Sequence, residues 1–262
     1  MLGLTDDATS RIPAASFQLE PENAVGYFRC LHSVVTTHGI PLSFYRDRHS
    51  IFQRNDPHWT IAEELAGHQL PTHVGRALEE LGIQQIPAYS PQAKGRIERL
   101  WRTFQDRLIS ELRLAQVCTL EHANRVLQTF LPDFERRFAV PPAASVSDFR
   151  PLPRRFDLDR CLSFRYQRIV APDHTVSWAG EIFQLPPLSS ARRFAGKVVE
   201  LSHQLDGSLR FYLGPTLLLT QPRPLRELAE PKPAVLSSTL KRDANRPRIY
   251  TLGGRPALAA VT

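Results

Sequence analysis

From residue 2 to residue 138 the chain keeps changing its hydrophobic period; beyond residue 141 it does not. Ala24, Tyr27, Phe28, Leu31, Val34 and Val35 recur at helical spacing. So do Val74, Ala77, Leu78 and Leu81, and then Ile97, Leu100, Trp101, Phe104, Leu108 and Leu112. These stripes predict helices over roughly 22–37, 72–82 and 95–114, with a further one over 120–138. Short strand-like runs lie between them: a strand–turn–strand from Leu2 to Phe17, then Leu42–Tyr45, then Gly82–Ile86. Residues 53–71 read as polar and irregular. Strands alternating with helices require an α/β layer built on a sheet.

A proline-rich stretch, Pro141 and Pro142 through Pro151 and Pro153, reads as a boundary. After it come short β-rich runs at Phe164–Val170, Thr175–Trp178, Glu181–Leu185, Lys197–Ser202 and Leu209–Leu213. Turn signals part them, among them Gly180 and the hairpin pair Asp206-Gly207. Short strands at this spacing predict a small β-barrel. From Gln221 proline and arginine accumulate without period, as in a disordered tail. The expected organisation is therefore an α/β core over 1–150, a small barrel over 151–220 and a tail over 221–262.

Apolar residues make up 42% of the 262, enough to fill a core. Nowhere does an uncharged apolar run approach the roughly 18 residues of a membrane span. Two acids by residue 7 argue against a signal peptide. Cys30, Cys118 and Cys161 are odd in number and far apart, so they make no disulfide framework and fit a reducing, cytoplasmic setting. The charge is unevenly placed. Residues 1–149 carry 15 basic and 17 acidic side chains, and residues 150–262 carry 18 and 9. A basic C-terminal half points to a polyanion partner, DNA or RNA first, or else to a basic solvated tail.

Two carboxylates stand where chemistry is done in open α/β sheets. Asp47 follows the end of a predicted strand, and Glu98 lies in the first turn of the longest predicted helix. Ligands gather in the crevice at strand C-terminal ends. Two or three carboxylates there can hold Mg²⁺ ions that activate a hydroxyl and clamp a phosphodiester. On spacing alone, Asp47 is equally a turn former, and Glu98 an acid favoured by the helix dipole.

The local wording says more. Tyr89-Ser-Pro-Gln92-Ala-Lys94-Gly-Arg96-Ile-Glu98 resembles the Y-x-P-Q-x-x-G-x-x-E signature of retroviral-integrase-like catalytic domains. Phe44-Tyr-Arg-Asp47-Arg-His-Ser-Ile-Phe52 resembles their strand ending in the second catalytic Asp. With Asp6-Asp-Ala-Thr9 and Gly75-Arg-Ala-Leu-Glu-Glu-Leu-Gly-Ile-Gln84, the chain over about residues 2–150 is similar to insertion-sequence transposases of the ISNCY group. The resemblance implies an RNase H-like integrase core of the DDE type, Mg²⁺ or Mn²⁺ as cofactor, DNA as substrate and assembly as a homo-multimer on DNA. It makes Asp47 the second and Glu98 the third metal-binding acid. The same group shares the lengthened loop around Arg54–Thr72.

One departure bears on activity. The family's first catalytic Asp lies on a first strand, upstream of the Asp-Asp-Ala-Thr turn. Asp6 and Asp7 match that turn and not the strand. The core is therefore expected to be incomplete, an N-terminally truncated fragment lacking the first strand, the first Asp and the helix-turn-helix DNA reader. The alternative to an enzyme is a catalytically inactive DNA-binding remnant. Lys94, Arg96 and Gln92 are the expected DNA contacts beside the carboxylates, against a solvated helix face or a loop-shaping role. Arg192, Arg193, Lys197 and Arg210 would let the barrel track a DNA backbone. His49 is a candidate neighbour of Asp47. Trp101 and Trp178 read as core.

Overall fold

The structure, a computed structural model, describes residues 1–54, 56–88, 95–144, 147–186 and 195–222. Strands β1 (Leu2–Leu4) and β2 (Ala14–Ser16) pair antiparallel, and α1 (Ala24–Thr37) covers one face of them. Asn23 caps α1 by accepting the Gly26 N–H at 2.9 Å. The helix ends at Gly39, whose φ of +100° suits glycine, and a Cβ there would stand 2.6 Å from the Arg150 carbonyl.

Alternation along β1 sorts its side chains. Leu2 packs with Ala14 and with Cys30 and Val34 of α1. Gly3 and Ala15 turn the other way, toward α4 (Gly95–Leu114) and α5 (Leu120–Phe138). There Ile12, Phe104, Leu108, Leu127, Phe130 and Phe134 make a second core. Phe104 touches Phe130, Phe134 and Trp101 edge-on. Trp101 is thus part of the core, as expected.

The strand after α1 runs in two parts. β3 (Ile40–Pro41) pairs antiparallel with β6 (Phe149–Arg150), and β4 (Ser43–Arg46) pairs parallel with β5 (Gln84–Pro87). The parallel crossover carries α2 (Ile61–Ala66) and α3 (His73–Glu80). Residues 53–71 are therefore not irregular throughout, because α2 lies within them.

Beyond β6, α6 (Leu158–Cys161) leads into β7 (Phe164–Ile169). A hairpin of β8 (Thr175–Trp178) and β9 (Glu181–Gln184) turns through Ala179 and Gly180, both at positive φ. Then come β10 (Val198–His203), β11 (Leu209–Leu213) and β12 (Thr216–Gln221). They form one antiparallel sheet in the order β12-β11-β10-β7. The Asp206-Gly207 signal marks the β10–β11 turn. The expected barrel is not closed among the described residues: β7 and β12 stand at opposite edges of the sheet and do not pair. Instead the sheet buries one face under the β8–β9 hairpin, around Val176, Trp178, Phe183, Val199, Leu201 and Phe211. Trp178 is core, as expected. The strand β12 was not foreseen. The tail reading from 221 on falls almost wholly outside the described residues.

The two textures of the sequence share a core. Leu158, Cys161, Leu162 and Phe164 pack in one cluster with Phe28, Leu31, Val74, Ala77 and Leu78. Polar contacts reinforce the seam: Arg76 donates to the Cys161 and Ser163 carbonyls at 3.1 and 2.7 Å. Arg165 meets both oxygens of Glu80 at 2.8 Å. Among the described residues no helix is long and apolar enough to cross a membrane.

Candidate active site

The parallel pairing of β4 and β5 sets Arg46 opposite Pro87, so both strands end at the same edge of the molecule. Asp47 is the first residue past β4. The chain leaving β5 reaches the start of α4 within eight residues, and Glu98 lies in the first turn of that helix, exposed. An acid in a first helical turn is favoured by the unpaired N–H groups there.

Local hydrogen bonds shape the turn after β4. The Asp47 carboxylate accepts the His49 N–H at 3.0 Å, and the His49 ring nitrogen Nδ1 accepts the Ile51 N–H at 3.3 Å. His49 is thus a structural neighbour of Asp47 through its backbone. The Phe52 N–H donates to the His49 carbonyl at 3.0 Å and Thr72 ties down the Ile51 carbonyl at 2.6 Å. Phe52, 4% exposed, anchors the turn against Phe44 and Tyr27. Arg46 donates to the Asp47 carbonyl at 3.2 Å and to Gln53 at 3.2 Å.

Tyr27 and Glu22 are neighbours of this turn that sequence reasoning missed. The Tyr27 hydroxyl donates to the Glu22 carboxylate. Burial drives the phenol far above its ordinary range; the Glu22 hydrogen bond and charge add to this, and so does the charge of Asp47. Helical spacing made Tyr27 look like any other core position. Only its contact with Phe52, at 4.7 Å between ring centroids, ties it to the turn.

Gln92, Lys94, Arg192 and Arg193 lie outside the described residues, and so does the side chain of Arg96, whose backbone belongs to α4. Lys197 is exposed at the start of β10. Arg210 stands 4.0 Å from Asp159. Among the described residues no three His, Cys, Asp or Glu side chains converge as a metal-holding group. Carboxylates such as those of Asp47 and Glu98 are the oxygen donors that Mg²⁺ or Mn²⁺ takes.

The loop before α3 is arranged around one acid. Glu63 is 1% exposed. It accepts the Thr60 N–H and the Leu70 N–H, both at 2.8 Å, and the Thr60 hydroxyl at 3.0 Å. Arg54 pairs with it and also with Asp56. The backbone N–H groups of Thr60 and Leu70 hold the Glu63 carboxyl below its usual range.

No protein-family model matches the chain. It is 38% identical over 210 residues to "Putative transposase y4bF" of Sinorhizobium fredii (strain NBRC 101917 / NGR234), a match covering 80% of this chain and 44% of that protein. It is 31% identical over 178 residues to "Transposase for insertion sequence IS1202" of Streptococcus pneumoniae, covering 68% of this chain and 37% of that protein. Most of this chain is therefore similar to transposases, and the matched region spans less than half the length of either relative.

Proposed function

We propose that this chain is part of a DDE-type DNA transposase of the ISNCY group, with an RNase H-like catalytic core in which Asp47 and Glu98 are the second and third acids. The observation that carries the reading is the likeness to two transposases over most of the chain, beside a fold with Asp47 just past β4 and Glu98 in the first turn of α4. By the resemblance, Asp47 and Glu98 would hold Mg²⁺ or Mn²⁺, which would supply the Lewis acidity that phosphodiester chemistry needs. The turn around His49 and Phe52 holds the Asp47 carboxylate through the His49 N–H. Gln92, Lys94 and Arg96 are proposed to hold DNA beside the acids. Arg192 and Arg193 are proposed to hold it on the β-rich segment, with several copies assembling on paired DNA ends.

A second reading has its own support. The basic C-terminal half, with 18 basic and 9 acidic side chains, would serve equally a DNA-binding remnant without strand cleavage. The test is nicking of supercoiled plasmid by the full chain in Mn²⁺, beside anisotropy of a labelled duplex. Nicking abolished by Asp47→Asn and by Glu98→Gln supports the enzyme. Duplex binding without nicking supports the remnant. A chain that neither binds nor nicks DNA refutes both.

A further inference from the structure

The loop that carries α2 is built inside out. Its interior is the polar network around Glu63, and its exterior is apolar. Ile61 and Leu65, one turn apart on α2, are 78% and 85% exposed, and Trp59 and Leu70 beside them are 41% and 56% exposed. Large apolar side chains so exposed, on a segment tied together from within by hydrogen bonds and ion pairs, mark a surface that another molecule covers. From residue 55 to residue 75 there is no lysine or arginine, while Asp56, Glu63 and Glu64 are acidic. Arg54, just before, is engaged by Asp56 and Glu63. Such a knob repels phosphate, so DNA is the wrong occupant, and an apolar protein surface with a basic rim is the right one.

The chain has such a surface of its own. At one end of the four-stranded sheet, Ile169 of β7 and Val198 of β10 sit directly opposite each other, 70% and 51% exposed. Arg168 and Lys197 adjoin them in the chain. This end lies in the half with 18 basic and 9 acidic residues, whereas the half bearing the knob has 15 and 17. We infer that the α2 knob of one copy docks on the Ile169–Val198 end of the β sheet in a second copy. Two such contacts made reciprocally close a dimer. The contact does not depend on DNA or on the carboxylates, and so goes beyond the proposed function.

Sedimentation of the full chain without DNA tests this. The expected result is a dimer whose dissociation constant rises at least tenfold in the knob variant (Ile61→Asp with Leu65→Asp). The same rise is expected in the sheet variant (Ile169→Asp with Val198→Asp). All four positions are exposed, and circular dichroism checks that each variant folds. Mixing the two variants is diagnostic, because the mixture keeps one intact knob facing one intact sheet end. A heterodimer should therefore return where neither variant alone dimerises. Glu64→Lys and Lys197→Glu should each weaken the dimer, and in one chain they should restore it. A wild-type chain that stays monomeric at every concentration overturns the inference. So does a dimer that all the variants leave intact, or a mixture that stays monomeric. Loss of duplex binding in the knob variant with the mass unchanged would put DNA on the knob and overturn it as well.

Discussion

At the scale of single residues, the environment of each side chain sets its sensitivity. Gly3 is a glycine because Trp101 lies over it: a Cβ there would stand 2.3 Å from the indole Cη2 and 3.1 Å from the Ala15 Cβ. Gly3→Ala should therefore destabilise the fold by about 1–3 kcal/mol, as overpacking does, and lower the melting temperature by several degrees. His73 is held neutral, its pKa pushed down to about 4 chiefly by burial, with Arg76 adding to the effect; its ring packs against Phe164 and Tyr166. A histidine depressed in the folded state contributes stability that is present above its unfolded pKa of about 6.5 and lost as pH falls toward 4. Denaturant midpoints should thus fall between pH 6.5 and 4, and His73→Phe should flatten that fall. An unchanged pH profile in His73→Phe would refute this assignment. At this scale the candidate site takes Asp47 and Glu98 from the sequence and its surroundings from the structure. Asp47 and Glu98 stood out because their local words are specific. Tyr27 and Glu22 did not, since their relation to Asp47 runs through a ring contact with Phe52 that no spacing encodes.

At the scale of elements, legibility follows whether an element turns an apolar stripe inward. α1, α4 and α5 do, and their spans match the periodicity to within two residues at each end. α2 does not. Its six residues point Ile61 and Leu65 outward, so its only sequence mark was Thr60 followed three residues later by Glu63, a capping box. That box is also the pivot of the loop. Glu63, depressed in the folded state, stabilises it above the ordinary carboxylate pKa of about 4.3, and this is lost as pH falls through the lowered folded value. Glu63→Gln, which removes the charge facing Arg54, should raise amide exchange across residues 56–70 at neutral pH and leave α4 and α5 unchanged. Protection equal to wild type would mean that the carboxylate charge does not organise the loop. β12 was missed for a different reason. Its uncharged run, Thr216-Leu-Leu-Leu-Thr-Gln221, abuts a stretch whose prolines and arginines read as tail.

At the scale of the whole molecule, the change of texture near residue 150 divides the sequence but not the core. Leu162 and Phe164 are 0% and 2% exposed and lie in one cluster with Phe28 and Leu78. Leu162→Ala should therefore cost about 2–5 kcal/mol. The tryptophan signals of Trp101 and Trp178, one in each texture, should still disappear in a single coincident transition. Two separated transitions would show that the parts unfold independently. A basic C-terminal half makes a further demand if the chain binds DNA: affinity should fall steeply with salt, the logarithmic slope reporting the phosphates neutralised. A flat salt dependence would count against a backbone-tracking surface.

The seam that Arg76 and Arg165 close between α3 and the β sheet turns a distance into a constant. On a flexible tether, the β-rich segment and Asp47 would each find DNA independently, and any spacing between the two contacts would serve. Fixed in one body, they work as a ruler. In the proposed transposase, a duplex gripped by the β-rich segment would present to Asp47 only those phosphodiesters that lie at the matching number of base pairs and the matching helical phase.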